Sequence, residues 1–157
     1  MHVFALNIVF ALLFALFSGG GLGSGLLVGF ALGYLALWLT RPLYGSSRYF
    51  QRLPRILGLL GYFFKELVRS NLLVLWDVLT PTHISQPGIV ALPLTAKSDL
   101  EIFLVANLIS LTPGTLSLDI SPDRRYLYVH VMFIDNVSAV RTHLKDGIER
   151  RILEVLR

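Results

Sequence analysis

Apolar and polar positions divide the chain into a membrane-like front and a globular back. From Val3 to Leu39 no residue carries a formal charge. The run is broken by Ser-Gly-Gly-Gly-Leu-Gly-Ser-Gly at 18–25. One span needs about 20 apolar residues, so the pattern predicts a tight helical hairpin within 1–40, with short spans near 3–18 and 22–39. Gly25, Gly29 and Gly33 recur every fourth residue and put small residues on one helix face, where another helix can come close. Asn7 falls inside the first span, where an amide is expected to bond a neighbouring helix.

The period then changes. Residues 41–54 form a basic loop ending at Pro54, and 55–79 read as one helix. Its polar side chains, Arg55, Tyr62, Lys65, Glu66, Arg69, Ser70 and Asp77, share one sector, with Leu, Val, Ile and Phe elsewhere. Two placements fit. An amphipathic helix would lie along the interface with Lys and Arg toward head groups; a third membrane helix would turn the charged stripe to a partner or a watery cavity. Thr80 to Pro87 is an extended linker.

Residues 88–157 predict a small β-α-β-β-α module with a mixed three-stranded sheet. Gly88 to Leu94 is a strand. Ser98 with Glu101 three residues on is a capping box, opening an apolar helix over 98–111. Thr112-Pro113-Gly114 stops it, and strict alternation from Thr115 to Ser121 signals a strand. Pro122 to Arg125 is a turn, Tyr126 to Ile134 the partner strand, and Asn136 caps a last helix through Leu156. Pairing Ser121 with Tyr126 sets Ile120, Leu118 and Leu116 beside Leu127, Val129 and Val131 on a shared apolar face. The other face then pairs Asp119 with Tyr128, Ser117 with His130 and Thr115 with Met132. A β-α-β crossover makes the first two strands parallel neighbours.

Charge sharpens this division. The net charge is +4, and residues 40–80 supply it, with six bases against two acids; 81–157 are balanced at eight each. The pI near 9.7 therefore reports a basic collar beside the apolar segment and gives no reason to expect nucleic acid as a partner. By the positive-inside rule the collar is cytoplasmic; an interfacial helix at 55–79 keeps the module cytoplasmic too, whereas a third span would put it outside or require a further crossing. No base precedes the first apolar run, which argues against a signal peptide. With no Cys, thiolate chemistry, disulfides and Cys-ligated zinc are excluded.

Candidate chemistry is sparse. Asp119, Ser117 and His130 on one sheet face invite a triad reading, or an enzyme acting on lipid head groups, but no oxyanion-hole or nucleophile-elbow pattern accompanies them. The four histidines lack metal-ligand spacing, so neither metal nor cofactor is expected. Lys65, Glu66 and Arg69 form the one stripe with an ion-linked or partner-facing reading; the plainer alternative for Glu66 is an i,i+3 pair with Arg69.

The stretch Ser98 to Asp119, with Leu127-Tyr-Val-His-Val131, Lys65-Glu-Leu-Val-Arg-Ser-Asn71 and Pro87-Gly-Ile-Val-Ala-Leu-Pro93, resembles the E-type subunit of the Mrp/Mnh multisubunit Na+/H+ antiporter. The resemblance implies a multi-pass protein of the bacterial inner membrane and partners that are the other antiporter subunits and lipid. It implies an accessory role without the main ion path. The residues it carries over are Asn107, Thr112, Pro113, Gly114 and Thr115, expected to do structural work: Asn107 as a buried amide with a backbone partner, the others as helix stop and strand start. The alternative is a stand-alone membrane-anchored binding module.

Overall fold

The computed structural model describes residues 2–19, 21–43, 48–81 and 84–157. Gly20 of the hairpin turn, residues 44–47 of the basic loop, and Thr82 and His83 of the linker lie outside the described residues. The chain forms two compact units, Met1–Pro54 and Arg55–Arg157.

In the first unit α1 (His2–Phe17) and α2 (Leu22–Leu39) pack along the glycine face. A methyl group at Gly25 would lie 2.8 Å from Ala15 Cα, and one at Gly29 2.7 Å from Phe14 Cβ. One at Gly33 would collide with Asn7 Oδ1. The contacts climb one helix while descending the other, so the pair is an antiparallel hairpin whose closeness only glycine permits. Asn7 is fully buried and its Nδ2 donates to Tyr49 Oη at 2.6 Å. Tyr49 and Phe50 open α3 (Tyr49–Leu79) and stack with Tyr34, at ring-centroid distances of 5.7 and 5.4 Å. One described helix, Leu22–Leu39, is long and apolar enough to cross a membrane; Val3–Phe17 is a shorter apolar helix.

The expected helix at 55–79 therefore starts six residues earlier, and Pro54 sits inside it. As the sixth residue of α3, Pro54 leaves Phe50 O without its intrahelical N–H, and the aromatic contacts of Tyr49 and Phe50 hold the turn before it.

The second unit follows the expected element order through β3, with β1 (Gly88–Pro93), α4 (Asp99–Ser110), β2 (Thr115–Ile120) and β3 (Tyr126–Val131), but the single last helix expected through Leu156 is divided into α5 (Val137–Leu144) and α6 (Arg150–Leu156). A π-helical turn, Lys145–Glu149, joins the last two. Ser98 and Glu101 close the capping box, and Asn136 Oδ1 accepts from Ser138 and Ala139 N–H. The core gathers Val90, Leu92, Ile102, Val105, Ile109, Leu127, Val129, Leu144, Ile148 and Ile152. Each fully buried side chain of this size contributes roughly 1.5–3 kcal/mol.

The sheet corrects two expectations. It is antiparallel throughout, in the order β1-β3-β2, and not mixed. β1 and β2 run the same way but never pair. β3, whose Leu127, Val129 and Val131 are all buried, takes the centre. The register also slips: the ladder keeps Ile120–Leu127 and Asp119–Tyr128, then shifts at a bulge, so that Ser117 faces Val129 and Leu116 faces His130. A one-residue shift exchanges the faces of a strand. Thr115 and Ser117 turn inward, while Leu116 and Leu118 are 50% and 48% exposed.

The reversal rests on Gly114, at φ +84°. An added Cβ would meet only ordinary contacts, 3.5 Å from the Phe133 ring, so the cost of a substitution is conformational. Gly114→Val is expected to destabilise the protein by about 1–3 kcal/mol, read as a lower thermal midpoint in detergent. An unchanged midpoint would overturn this account of the turn.

Candidate functional site

α3 sends its polar face toward the module. Arg55 Nη1 donates to Glu154 O at 2.8 Å. Tyr62 fits against Gly147 of the π-helical turn, and the Arg151 guanidinium lies 4.0 Å from the Tyr62 ring centroid. That approach needs a residue without a side chain at 147, since a Cβ there would overlap the Tyr62 hydroxyl. Burial raises the Tyr62 hydroxyl pKa, with the nearby Glu66 charge adding to the effect. One turn on, Glu66 is 5% exposed, and its Oε2 lies 2.9 Å from His143 Nε2 and 3.7 Å from Arg69 Nη1.

The expected stripe of Lys65, Glu66 and Arg69 is thus divided. Glu66 turns inward to the chain's own α5, Arg69 stays largely exposed, and Lys65 is exposed with no hydrogen bond or ion pair among the described residues. A carboxylate removed from water needs a charged or hydrogen-bonding partner, and His143 supplies it.

Beside this pair lies a cavity of about 450 Å³, lined by Glu66, Arg69 and His143 together with Thr112, Pro113, Gly114, Thr115 and Asp135. Tertiary folding brings the helix-stop motif and the charged stripe, some 45 residues apart in sequence, to one place. The motif residues act on α4. Thr112 Oγ1 donates to Leu108 O and Ile109 O at 3.0 and 2.9 Å, and Thr115 Oγ1 to Ile109 O at 2.6 Å. Carbonyls that end a helix without partners are satisfied this way. Asn107 lies elsewhere. It is exposed, not buried as expected, and its Nδ2 donates to Phe103 O at 2.8 Å within its own helix.

The suspected triad does not assemble. Ser117 Oγ donates to Ala106 O at 2.8 Å on the helix side of the sheet, while Asp119 Oδ1 accepts from the adjacent Ile120 N–H at 2.7 Å. No group of three His, Asp or Glu able to hold a metal occurs among the described residues.

Two carboxylates escaped the sequence reading in part. Glu101 was expected as a cap; it also accepts from Arg157 Nε at 3.0 Å at the chain's far end. The Arg157 hydrogen bond, followed by the Lys97 N–H, pulls its pKa down to about 2. Glu149 is 1% exposed and its Oε1 takes the Thr95 and Ala96 N–H groups at 2.5 and 2.8 Å, tying the β1–α4 loop to the π-helical turn. Neither distant partner had a local signal. Gly147 was also missed; a lone glycine inside an amphipathic helical pattern, costing about 1 kcal/mol against alanine, was the local signal that could have found it.

Residues 7–155 match the family model MNHE, described as Na+/H+ ion antiporter subunit. The E-type Na(+)/H(+) antiporter subunit of Alkalihalophilus pseudofirmus is 40% identical over 150 residues, covering 96% of this chain and 95% of that protein. Its Bacillus subtilis counterpart is 36% identical over 152 residues, covering 97% and 96%. A chain in the structure of the membrane-bound sulfane sulfur reductase, an archaeal respiratory membrane complex, superposes with a TM-score of 0.58 at 22% identity. It covers 96% of both chains, a likeness of fold.

Removing His143 takes from the buried Glu66 its close hydrogen-bond partner and leaves it the more distant, exposed Arg69 at 3.7 Å. His143→Ala is expected to cost about 1–3 kcal/mol, and Glu66→Gln less, since a neutral amide needs no counter-charge; both are read by denaturation in detergent. Equal losses would refute the buried-charge argument. Glu101 makes the fold acid-sensitive. Its folded pKa, about 2, is below the ordinary 4.5, so its contribution is complete above pH 4.5 and fades as pH falls toward 2. Allowing for solvent at the half-exposed Arg157, that contribution is on the order of 1–2 kcal/mol. Glu101→Gln should flatten the stability profile across that window; a profile that keeps its wild-type slope would contradict this assignment.

Proposed function

Because the chain belongs to the MNHE family of Na+/H+ ion antiporter subunits, we propose that it is an accessory membrane subunit of a multisubunit monovalent cation (Na+)/proton antiporter. It serves assembly or activity and does not carry the main ion path. The match over 7–155 carries this reading. Its partners are the other subunits of the complex and membrane lipid. It works in the bacterial cell membrane as a multi-pass protein whose α/β module is cytoplasmic, and the Arg41, Arg48, Arg52 and Arg55 collar supports that side.

The geometry supports an accessory role. A cation path across lipid needs ionisable or carbonyl ligands within the spanning segments. The buried polar side chain of the described hairpin is Asn7, an uncharged amide whose Nδ2 donates to Tyr49 Oη while its Oδ1 has no hydrogen-bond partner among the described residues. Glu66 is committed to His143. What the chain offers instead is surface: apolar side chains around α1 and α2, and a folded module appended to them.

The tagged protein is expected to copurify with several larger membrane subunits. Its deletion is expected to abolish Na+-dependent proton movement in membrane vesicles. A purified monomer that exchanges Na+ for H+ alone would overturn the proposal. For Glu66→Gln, the expected result is near-normal exchange with all subunits present in normal amounts; lost exchange from a fully assembled complex would give Glu66 a direct ionic role.

A further inference from the structure

The face of α3 turned away from the module is apolar and uncovered. Leu57, Phe64, Val68, Leu72, Leu75 and Trp76 are all more than half exposed. Both acids of the helix, Glu66 and Asp77, are buried on the opposite side. Asn71 falls within the apolar face, and its Nδ2 is satisfied by Leu67 O at 2.7 Å. Lys65 sits at the margin. Along 31 residues, about 46 Å at 1.5 Å per residue, this face far exceeds the apolar patch a soluble protein leaves in water.

We propose that α3 lies flat on the bilayer with this face in the head-group and upper acyl region of an anionic lipid surface, carrying the α/β module on its other side. The proposal rests on the membrane location inferred above. Three observations select lipid as the occupant. First, α3 begins in the aromatic cluster of the hairpin, where Tyr49 meets Phe4 and Tyr34, each at a centroid distance of 5.7 Å. Tyrosines of this kind collect where lipid meets water. The start of α3 is thereby tied to the end of the hairpin from which the chain leaves α2. Second, the charge is complementary: Arg41 and Arg48, both exposed, precede the helix, and Lys65 flanks its apolar face. Trp76 gives the far end an interfacial anchor.

Third, the polar side of α3 is occupied. Arg55, Tyr62 and Glu66 hold α6, the π-helical turn and α5 against it, with Glu66 and His143 2.9 Å apart. A third membrane span would have to drag those helices, with Arg150, Arg151 and Glu154, into hydrocarbon. The two placements left open by the sequence therefore reduce to one. It differs from the expected interfacial arrangement, because the polar stripe meets the module and not the head groups.

The absence of cysteine makes a labelling test direct. Single cysteines are placed at Leu57, Phe64, Val68, Leu72 and Leu75 in the full chain, spin-labelled in anionic nanodiscs, and measured again in the purified antiporter complex. A flat helix predicts that all five sites favour oxygen over a water-soluble nickel relaxant. It predicts one common shallow depth, about 5–10 Å below the phosphates, while Arg150→Cys reports water. Depths that pass through the bilayer centre would overturn the proposal in favour of a span. Labels shielded from lipid in the complex would overturn it in favour of a protein partner. If the complex does not copurify, the functional reading fails, and the nanodisc depths still decide the placement of α3.

Discussion

The end of α4 must satisfy its own carbonyls, and much of the module follows from how it does so. Ala106, Leu108 and Ile109 present C=O groups along the last turns of α4, and Ile109 O already accepts the Thr112 N–H at 3.1 Å. Thr112, Thr115 and Ser117 supply hydroxyl donors. To deliver them, Thr115 and Ser117 must face the helix, and the bulge before Asp119 lets them. Leu116 and Leu118 are then left outside. A typical intramolecular hydrogen bond contributes about 0.5–1.5 kcal/mol net, so three of them are of the same order as what is forgone by leaving two leucines half-exposed, about 1.5–3 kcal/mol. Gly114 completes the junction with the positive φ that brings Thr115 back under the helix.

A second constraint acts on α3. A helix with an acid in its middle and an apolar surface on its back cannot be content in water or in lipid alone. The chain resolves this by giving Glu66 a partner from α5 and by notching α5–α6 with Gly147 so that Tyr62 can approach. The π-helical turn there buries Gly147, Ile148 and Glu149 together. Its extra residue lets one helix satisfy α3 on one side and the β1–α4 loop, through Glu149, on the other. The helix–module contact and the cavity lined by Thr112–Thr115 are consequences of the same packing.

Local signals were read directly from the residues. Ser98 and Glu101, Asn136, Gly114 and the Gly25/Gly29/Gly33 face each express a short-range rule, of capping, of φ, or of the closeness glycine allows. What misled was alternation. Leu116, Leu118 and Ile120 look like a core face, because periodicity counts apolar side chains and cannot see which carbonyls lie opposite. The parallel pairing of β1 and β2 was lost for a similar reason: crossover handedness governs direction, whereas strand order depends on which strand is apolar enough for the centre. Asn107 was expected to be buried with a backbone partner; it has the partner, Phe103 O in its own helix, and so needs no burial.

The sequence by itself determined the element order, the capped starts of α4 and α5, the stop at Gly114, the glycine-lined hairpin and the charge asymmetry, since each is written in residue types and short spacings. It also carried the family, because the Ser98–Asp119 stretch is distinctive as written. Only the tertiary structure decided which face of β2 is buried, that β3 is central, and that Glu66 belongs to His143. Those outcomes compare hydrogen-bond and burial energies between groups far apart in the chain, and no local pattern encodes the winner.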